Sequence, residues 1–340
     1  MTNGSRAKCV LATAAILLAS ILPGQTGPDA QLLTYDIADN GGGPVVSEHS
    51  QTGSAQSFLQ PGIARWVADS ARAVSAFYGR FPVRTRLFVR AGGEGKIGGG
   101  VTWGTRPAAT IRIAAGAATT DEDLRQDWVL PHEMVHLALP NLGSSHSWLE
   151  EGIATYIEPI ARVKAGLVPR DEVWRWLLWG LPRGLPEPGD RGLDSDNRWG
   201  RTYWGGALFC LTADIEIRRA TQNRRSLGDA LRGVLEAGGN VSTGWSISRV
   251  LQAGDRAVGV RVLEPLYKRM GTKPGGADLE RLFAQLGVRG TPSGVSFDEG
   301  APLASLRHAI TNDAREDAPV AARRRASRRP FTRIALGSTY

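Results

Sequence analysis

The sequence predicts an α+β fold, and three observations lead to this class. The chain has 340 residues, of which 42% are hydrophobic, so it can bury a full core. Short segments with the apolar alternation or composition of strands occupy residues 33–37, 83–89 and 110–113. From about residue 119 onwards the apolar side chains recur mainly at helical spacing. We therefore predict a mixed N-terminal sheet followed by a mainly helical C-terminal part.

Several segments of the sequence have the pattern of helices. Residues 64–78 are amphipathic, and residues 119–123 place acids at the positive end of a helix dipole. Pro131 either breaks a continuous helix or stands first in a new one, and the sequence leaves both open. Residues 180–199 are rich in Gly, Pro and Asp and form either a flexible loop or part of a cleft rim. Tryptophan-rich residues 173–178 are interpreted as core, and further helices are predicted at residues 227–235, 246–251, 263–270 and 278–286.

The segment H-E-M-V-H at residues 132–136 carries the chemistry. On a helix, His132 and His136 lie one above the other on a single face, so two imidazoles can bind one metal ion. Glu133 projects about 100° round from His132, which suits a base acting on a water at the metal. Because the flanking residues are largely apolar, we expect this helix to be buried.

A third metal ligand is predicted in the next helix. Pro140, Asn141 and Gly143 end the first helix, and Ser147 begins a second with Glu150 three positions on, a capping box. A tight helix-loop-helix can bring Glu151 back to the two histidines and leave a fourth position for water. The sequence therefore predicts one zinc ion in a site of the catalytic type.

H-E-x-x-H followed by W-L-E-E-G-I-A-T-Y-I-E at residues 148–158 resembles the gluzincin metallopeptidases. This clan includes thermolysin, aminopeptidase N and the glycyl aminopeptidases, and the second segment is most similar to the two aminopeptidase branches. The resemblance implies a thermolysin-like fold, with Glu151 as zinc ligand and Glu158 orienting a liganding histidine. The loop between His136 and Glu151 is shorter than is usual in the aminopeptidase N family, which argues against plain membership of it.

Two other segments are similar to parts of the same family. Residues 99–104, G-G-V-T-W-G, resemble the G-x-M-E-N-W-G segment of an edge strand along the cleft. This resemblance implies that Gly100, Val101 and Thr102 bind substrate by main-chain pairing. The family's glutamate for a free amino terminus has no counterpart, so we expect cleavage without a free N-terminus. Tyr203 lies in a segment that resembles Y-x-x-G-A, whose tyrosine hydroxyl stabilises the oxyanion. We also place His146, in the loop between the zinc helices, on the substrate side.

These features predict a zinc metallopeptidase that hydrolyses peptide bonds, with Glu133 as general base and Tyr203 as oxyanion stabiliser. The alternative is a non-catalytic, zinc-stabilised envelope domain that binds peptides or protein partners. Glu133 favours the enzyme, because a structural site needs no base and fills its fourth position with protein.

The N-terminal segment predicts an exported protein. Residues 1–28 carry Arg6 and Lys8 before an apolar run at 9–22, the layout of a signal peptide or N-terminal anchor. We divide the rest into an α/β part at 29–118, a zinc-binding helical part at 119–310 and a basic tail at 311–340. The six arginines from residue 319 onwards and the two N-terminal cations equal the net charge of +8. We therefore predict no nucleic-acid binding, a periplasmic or secreted location, and at most loose association with anionic envelope surfaces.

Overall fold

The structure is a computed structural model that describes residues 31–50, 60–292 and 294–311. The predicted signal peptide and the arginine-rich stretch from residue 319 lie outside these residues. Within the described ranges, no helix is both long and apolar enough to cross a membrane.

A five-stranded mixed sheet forms the N-terminal part, as predicted. Its order is β2-β1-β3-β5-β4, in which β3 and β5 are parallel and the other neighbours antiparallel. The strands are β1 (Gln31–Asp39), β2 (Pro44–Ser50), β3 (Thr85–Ala91), β4 (Val101–Trp103) and β5 (Ala109–Ala115). Buried and half-buried residues alternate along β3 and β5, since one face of the sheet packs on the core. The short β4 is an edge strand, and this prediction is confirmed.

Helices make up most of the remaining described chain. They are α1 (Gln60–Tyr78), α2 (Asp121–Gln126), α3 (Val129–His136), α4 (Ser147–Lys164), α5 (Arg170–Gly180), α6 (Gly206–Ala220), α7 (Leu227–Glu236), α8 (Ile247–Val258), α9 (Leu263–Met270), α10 (Leu279–Leu286) and α11 (Ala304–Ile310). A hairpin of β6 (Val288–Thr291) and β7 (Gly294–Phe297) separates the last two helices. The sequence prediction missed this hairpin and strand β2, since both lie outside the segments that we interpreted as strands.

One continuous apolar core joins the sheet to the helices. It includes Leu33 and Ile37 of β1, Val67 of α1, Leu130 of α3 and Ile157 of α4, all at most 1% exposed. Helix α1 contacts β2, α3 and α4, so the metal-binding helices are anchored directly to the sheet side of the protein. Burial of this apolar surface is the main stabilising contribution to the arrangement.

Pro131 plays neither of its two predicted roles. It is the third residue of α3, within the first turn, where backbone N–H groups have no partner in the helix and a missing donor costs nothing. The two N–H groups that precede it donate to the Asp127 carboxylate, at 3.0 Å from Val129 and 2.9 Å from Leu130. Asp127 also accepts a 2.9 Å bond from the Trp66 indole and therefore ties the start of α3 to α1.

The predicted capping box of α4 is wrong. The Ser147 hydroxyl donates to the Ser144 carbonyl, and the Glu150 carboxylate accepts from the backbone N–H of Leu142. Glu150 therefore fixes the loop between the zinc helices instead of the helix end, because that short loop passes close enough to offer its own N–H group.

Residues 180–199 are partly buried and contain two short 3₁₀ turns, Leu181–Gly184 and Leu193–Ser195. The carboxylate of Asp190 is fully buried and lies 2.8 Å from the guanidinium of Arg201, which is also buried. A flexible loop, one of our two alternatives for this segment, does not describe it, because a buried ion pair requires a fixed backbone.

Candidate metal and catalytic site

The three predicted metal ligands come together between α3 and α4. His132 and His136 lie one turn apart on α3, and Glu151 lies in the second turn of α4. One carboxylate oxygen of Glu151, Oε2, is 3.2 Å from His132 Nε2 and 3.6 Å from His136 Nε2. The ligand atoms of the three side chains all lie within 4.8 Å of one another.

Electrostatics bind these side chains together. Burial by itself disfavours the charged form of Glu151, but the two histidines outweigh it and hold the pKa of that carboxyl well below its usual range. Burial also disfavours the charged form of His136, yet attraction and hydrogen bonding to Glu151 raise the pKa of His136 to about 9. A cation is therefore favoured at the point where the three groups meet.

The donor set fits zinc. Two imidazole nitrogens and one carboxylate oxygen are the ligands of a catalytic zinc site, which keeps a further position open. His132 is only 5% exposed, while His136 and Glu151 are half-buried, so the donors converge at a place that an ion can reach. These residues would accept one zinc ion.

Tyr203 approaches this centre because two glycines let two segments meet backbone to backbone. A Cβ atom on Gly152 of α4 would lie 2.3 Å from the backbone of Gly206, and one on Gly206 would lie 2.2 Å from the carbonyl oxygen of Trp148. The segment Gly200–Gly205 that precedes α6 is π-helical, a distortion frequent at functional sites. This contact places Tyr203 against the metal ligands.

The Tyr203 ring stacks on His132 at 6.2 Å between centroids, with the Glu151 carboxylate nearby. Burial, followed by the nearby carboxylates of Glu151 and Glu133, raises the pKa of this phenol above its usual value. Tyr203 is therefore neutral at pH 7 and can donate a hydrogen bond to a developing negative charge.

Glu133 lies against the edge strand β4. A Cβ on Gly100 would lie 2.4 Å from Glu133 Cγ, so the backbone before β4 touches the acid directly. The Thr102 hydroxyl lies 2.7 Å from Glu133 Oε2 and 3.0 Å from the Glu133 carbonyl oxygen. We predicted Thr102 and Val101 as substrate contacts. In the structure the Thr102 hydroxyl contacts Glu133 instead. The pairing of substrate with the backbone of β4 stays a prediction.

Glu158 is 3% exposed and accepts a 2.9 Å bond from the Arg162 guanidinium. Burial raises the pKa of Glu158 to about 7, while attraction to Arg162 and, more weakly, to His132 opposes that rise. Its hydrogen bond in the described structure comes from Arg162 and not from an imidazole. Glu158 would therefore orient a zinc ligand, as predicted, through electrostatic attraction to His132 and not through a hydrogen bond.

His146 lies beside a polar cluster at the start of α4. Its Nε2 atom is 3.7 Å from Asp194, which accepts hydrogen bonds from Trp148 at 2.8 Å and from Tyr267 at 2.5 Å. These contacts explain how His146 is held; its substrate-side role stays a prediction.

Two residues that we did not single out from the sequence also adjoin the centre. The Trp128 ring packs edge-on against the His132 ring at 5.6 Å, and the Trp199 ring stacks on Tyr203 at 5.9 Å. Each tryptophan precedes its site residue by four positions, a helical spacing that was visible in the sequence.

No protein-family model matches the chain, and no curated protein matches it. The structure is similar to an M1 zinc metallopeptidase from Deinococcus radiodurans, of which a mutant bound to a Tyr-Ser-Ala substrate gives a TM-score of 0.45 at 16% identity, over 72% of this chain and 52% of that one. A second crystal structure of an M1 zinc metallopeptidase from that organism gives 0.44 at 16%, over 73% and 55%. This chain thus spans about half the length of these proteins. Because the likeness is distant, the roles of the site residues rest on the geometry above.

Proposed function

We propose that this protein is a zinc-dependent peptidase. The observation that carries the proposal is the position of Glu133, which is 8% exposed and adjoins the three donors without belonging to them. A carboxylate held beside a metal site by Thr102 and Gly100 has the position that a general base requires.

Zinc bound by His132, His136 and Glu151 would supply the positive charge that acidifies water and polarises a carbonyl group. Glu133 removes the proton from the attacking water and passes it to the leaving amine, and Thr102 holds the carboxylate in place for both transfers. The Tyr203 hydroxyl donates to the carbonyl oxygen as negative charge develops there.

A peptide is the substrate class that the surroundings favour. The edge strand β4 leads directly past Glu133, and its outer edge has no partner strand in the described sheet. Such an edge binds extended backbone by main-chain hydrogen bonds, which is how a peptide substrate would be aligned. We also propose export to the periplasm or the medium, which the N-terminal sequence pattern alone supports.

The rival function is a non-catalytic zinc domain that binds peptides or proteins. Glu133 separates the two, since a structural site gains nothing from a buried acid outside its ligands. Burying the Glu133 carboxylate costs free energy, and a purely structural zinc site does nothing to offset that cost.

The test combines metal analysis with cleavage of a peptide library. The purified protein should contain about one zinc and cleave peptides, and Glu133→Gln should keep the zinc while hydrolysis falls by roughly a thousandfold. His136→Ala is the matched comparison and should lose most of the zinc. Full activity of Glu133→Gln would refute the mechanism, and loss of fold and metal together in that variant would support the structural alternative.

A further inference from the structure

A buried ion pair lies just before Tyr203 in the chain, and the chemistry described above makes no use of it. The side chains of Asp190 and Arg201 are 0% and 1% exposed, and Asp190 Oδ2 lies 2.8 Å from Arg201 Nε. Taking two charges out of water costs free energy, and apolar side chains of similar volume often replace such a pair without loss of stability. A role that needs a fixed direction, and not burial alone, would account for the pair.

Asp190 is held firmly within its own loop. Its Oδ1 atom accepts a 2.6 Å hydrogen bond from the backbone N–H of Gly192. Gly192 has a φ of 112° and packs closely on the residue that follows α9, since a Cβ on it would lie 2.4 Å from the Gly271 carbonyl oxygen. The Asp190 carboxylate is therefore a fixed point against which another segment can be placed.

That other segment is the π-helical stretch Gly200–Gly205, which carries both Arg201 and Tyr203. Besides its ion pair, Arg201 donates a hydrogen bond from Nη1 to the Gly184 carbonyl oxygen. The end of the stretch is fixed separately, because Gly206 lies directly on the backbone of α4. Tyr203 thus lies between two anchored positions, two residues after one and three before the other.

We infer that Asp190 and Arg201 are positioning residues that set where the Tyr203 hydroxyl lies relative to the metal ligands. This inference rests on the proposed function, in which that hydroxyl donates to the developing oxyanion. Side chains two residues apart on a helical segment do not share a face, so Arg201 fixes the back of the segment while Tyr203 faces the metal ligands. A preorganised donor acts only when its support holds it in the productive geometry.

A double-mutant cycle separates positioning from general stability. Asp190→Asn keeps the side-chain volume and removes the charge, so kcat should fall about tenfold while KM and zinc content stay unchanged. In the Tyr203→Phe background the same substitution should lower kcat by less than about twofold, because the donor that it would misplace is absent. An equal fall in both backgrounds would identify a merely structural pair and overturn the inference.

The matched control is a second buried ion pair, between Asp214 and Arg218 of α6, whose Oδ1 and Nε atoms lie 3.0 Å apart. Asp214→Asn should also destabilise the fold, but it should leave kcat unchanged. A second variant, Arg201→Lys, keeps the charge and loses the planar fork of donors. It should show the same non-additivity with Tyr203→Phe, and it serves where the first variant does not fold.

A spectroscopic test needs no turnover. In zinc-loaded protein with tyrosines isotopically labelled at Cζ, Asp190→Asn should shift the Tyr203 resonance, which Tyr203→Phe assigns. Asp214→Asn should instead shift the resonance of Tyr156, whose hydroxyl donates to Asp214 at 3.0 Å.

The outcomes distinguish the inference from the proposed function. A Tyr203 resonance that does not move in Asp190→Asn would overturn the positioning role and leave the peptidase standing. A shifted resonance in a protein that cleaves no peptide would support the positioning role and overturn the proposed function.

Discussion

The two sides of the proposed centre are built differently. On the helical side, α4 and the start of α6 meet through Gly152 and Gly206, and this contact brings Glu151 and Tyr203 together. On the strand side, a three-residue edge strand of half-buried residues holds Glu133 through Thr102. The first contact is backbone on backbone and cannot yield, whereas the second is a side-chain contact that can adjust. We conclude that metal binding and base positioning are separable, and the following predictions test that separation.

The largest difference should appear between two glycine substitutions. Gly152→Ala places a Cβ into the Gly206 backbone, so the variant should lose about 3 kcal/mol of unfolding free energy and much of its zinc. Gly100→Ala meets only the side chain of Glu133, so it should keep zinc and lose less stability than Gly152→Ala while hydrolysis falls. Thermal unfolding, metal content and kcat, measured on both variants, test whether metal binding and base positioning are separable. Equal zinc loss in the two would contradict the separation.

Tyr203→Phe should lower kcat by about a hundredfold, the usual scale for losing one oxyanion donor. The ring still stacks on His132, so zinc content should change little. The measurement is kcat beside metal analysis of the same preparation. If zinc is lost in proportion to activity, Tyr203 holds the metal ligands in place and does not stabilise the transition state.

Zinc affinity should depend on pH through the helical side. In the metal-free protein the pKa of His136 is about 9, above its ordinary value of 6.5, so zinc must displace a proton below that pH. Apparent affinity should rise by about tenfold per pH unit between pH 7 and 9 and level off above. The attraction between His136 and Glu151 also stabilises the metal-free fold. This stabilisation is fully present below pH 6.5 and is lost as the pH rises through 9.

A competition titration with a chromophoric chelator, corrected for the chelator's own protonation, measures this dependence. Glu133→Gln should give nearly the same curve, since Glu133 is not a ligand. A flat curve would show that His136 is already neutral at pH 7.

On the strand side, Thr102→Val should lower kcat roughly tenfold at unchanged zinc content, because the bond that orients Glu133 is lost while side-chain volume is kept. Thr102→Ser retains the hydroxyl and should recover most of the activity. An increase in KM with kcat unchanged would mean that Thr102 contacts substrate, as we first predicted.

The smallest effect concerns the substrate's amino terminus. Val101 and Thr102 stand where the aminopeptidase segment has its glutamate, so no acid of β4 can bind a free amine. Acetylated and free forms of one peptide should therefore differ by less than about threefold in kcat/KM. A strong preference for the free amine would assign that role to another acid, such as Glu150 or Asp194.

Helical periodicity by itself placed His132 and His136 together, since they share a face in any α-helix. The prediction of Glu151 as third ligand also needed a tight helix-loop-helix and the resemblance to the gluzincins. Strand alternation similarly predicted three of the five sheet strands. Tertiary structure decided what touches these groups from elsewhere in the chain: Thr102 on Glu133 and Gly206 on Gly152. It also decided that Trp128 and Trp199 remain exposed. Periodicity places a side chain on a face, but only packing between distant segments selects the partner that meets it.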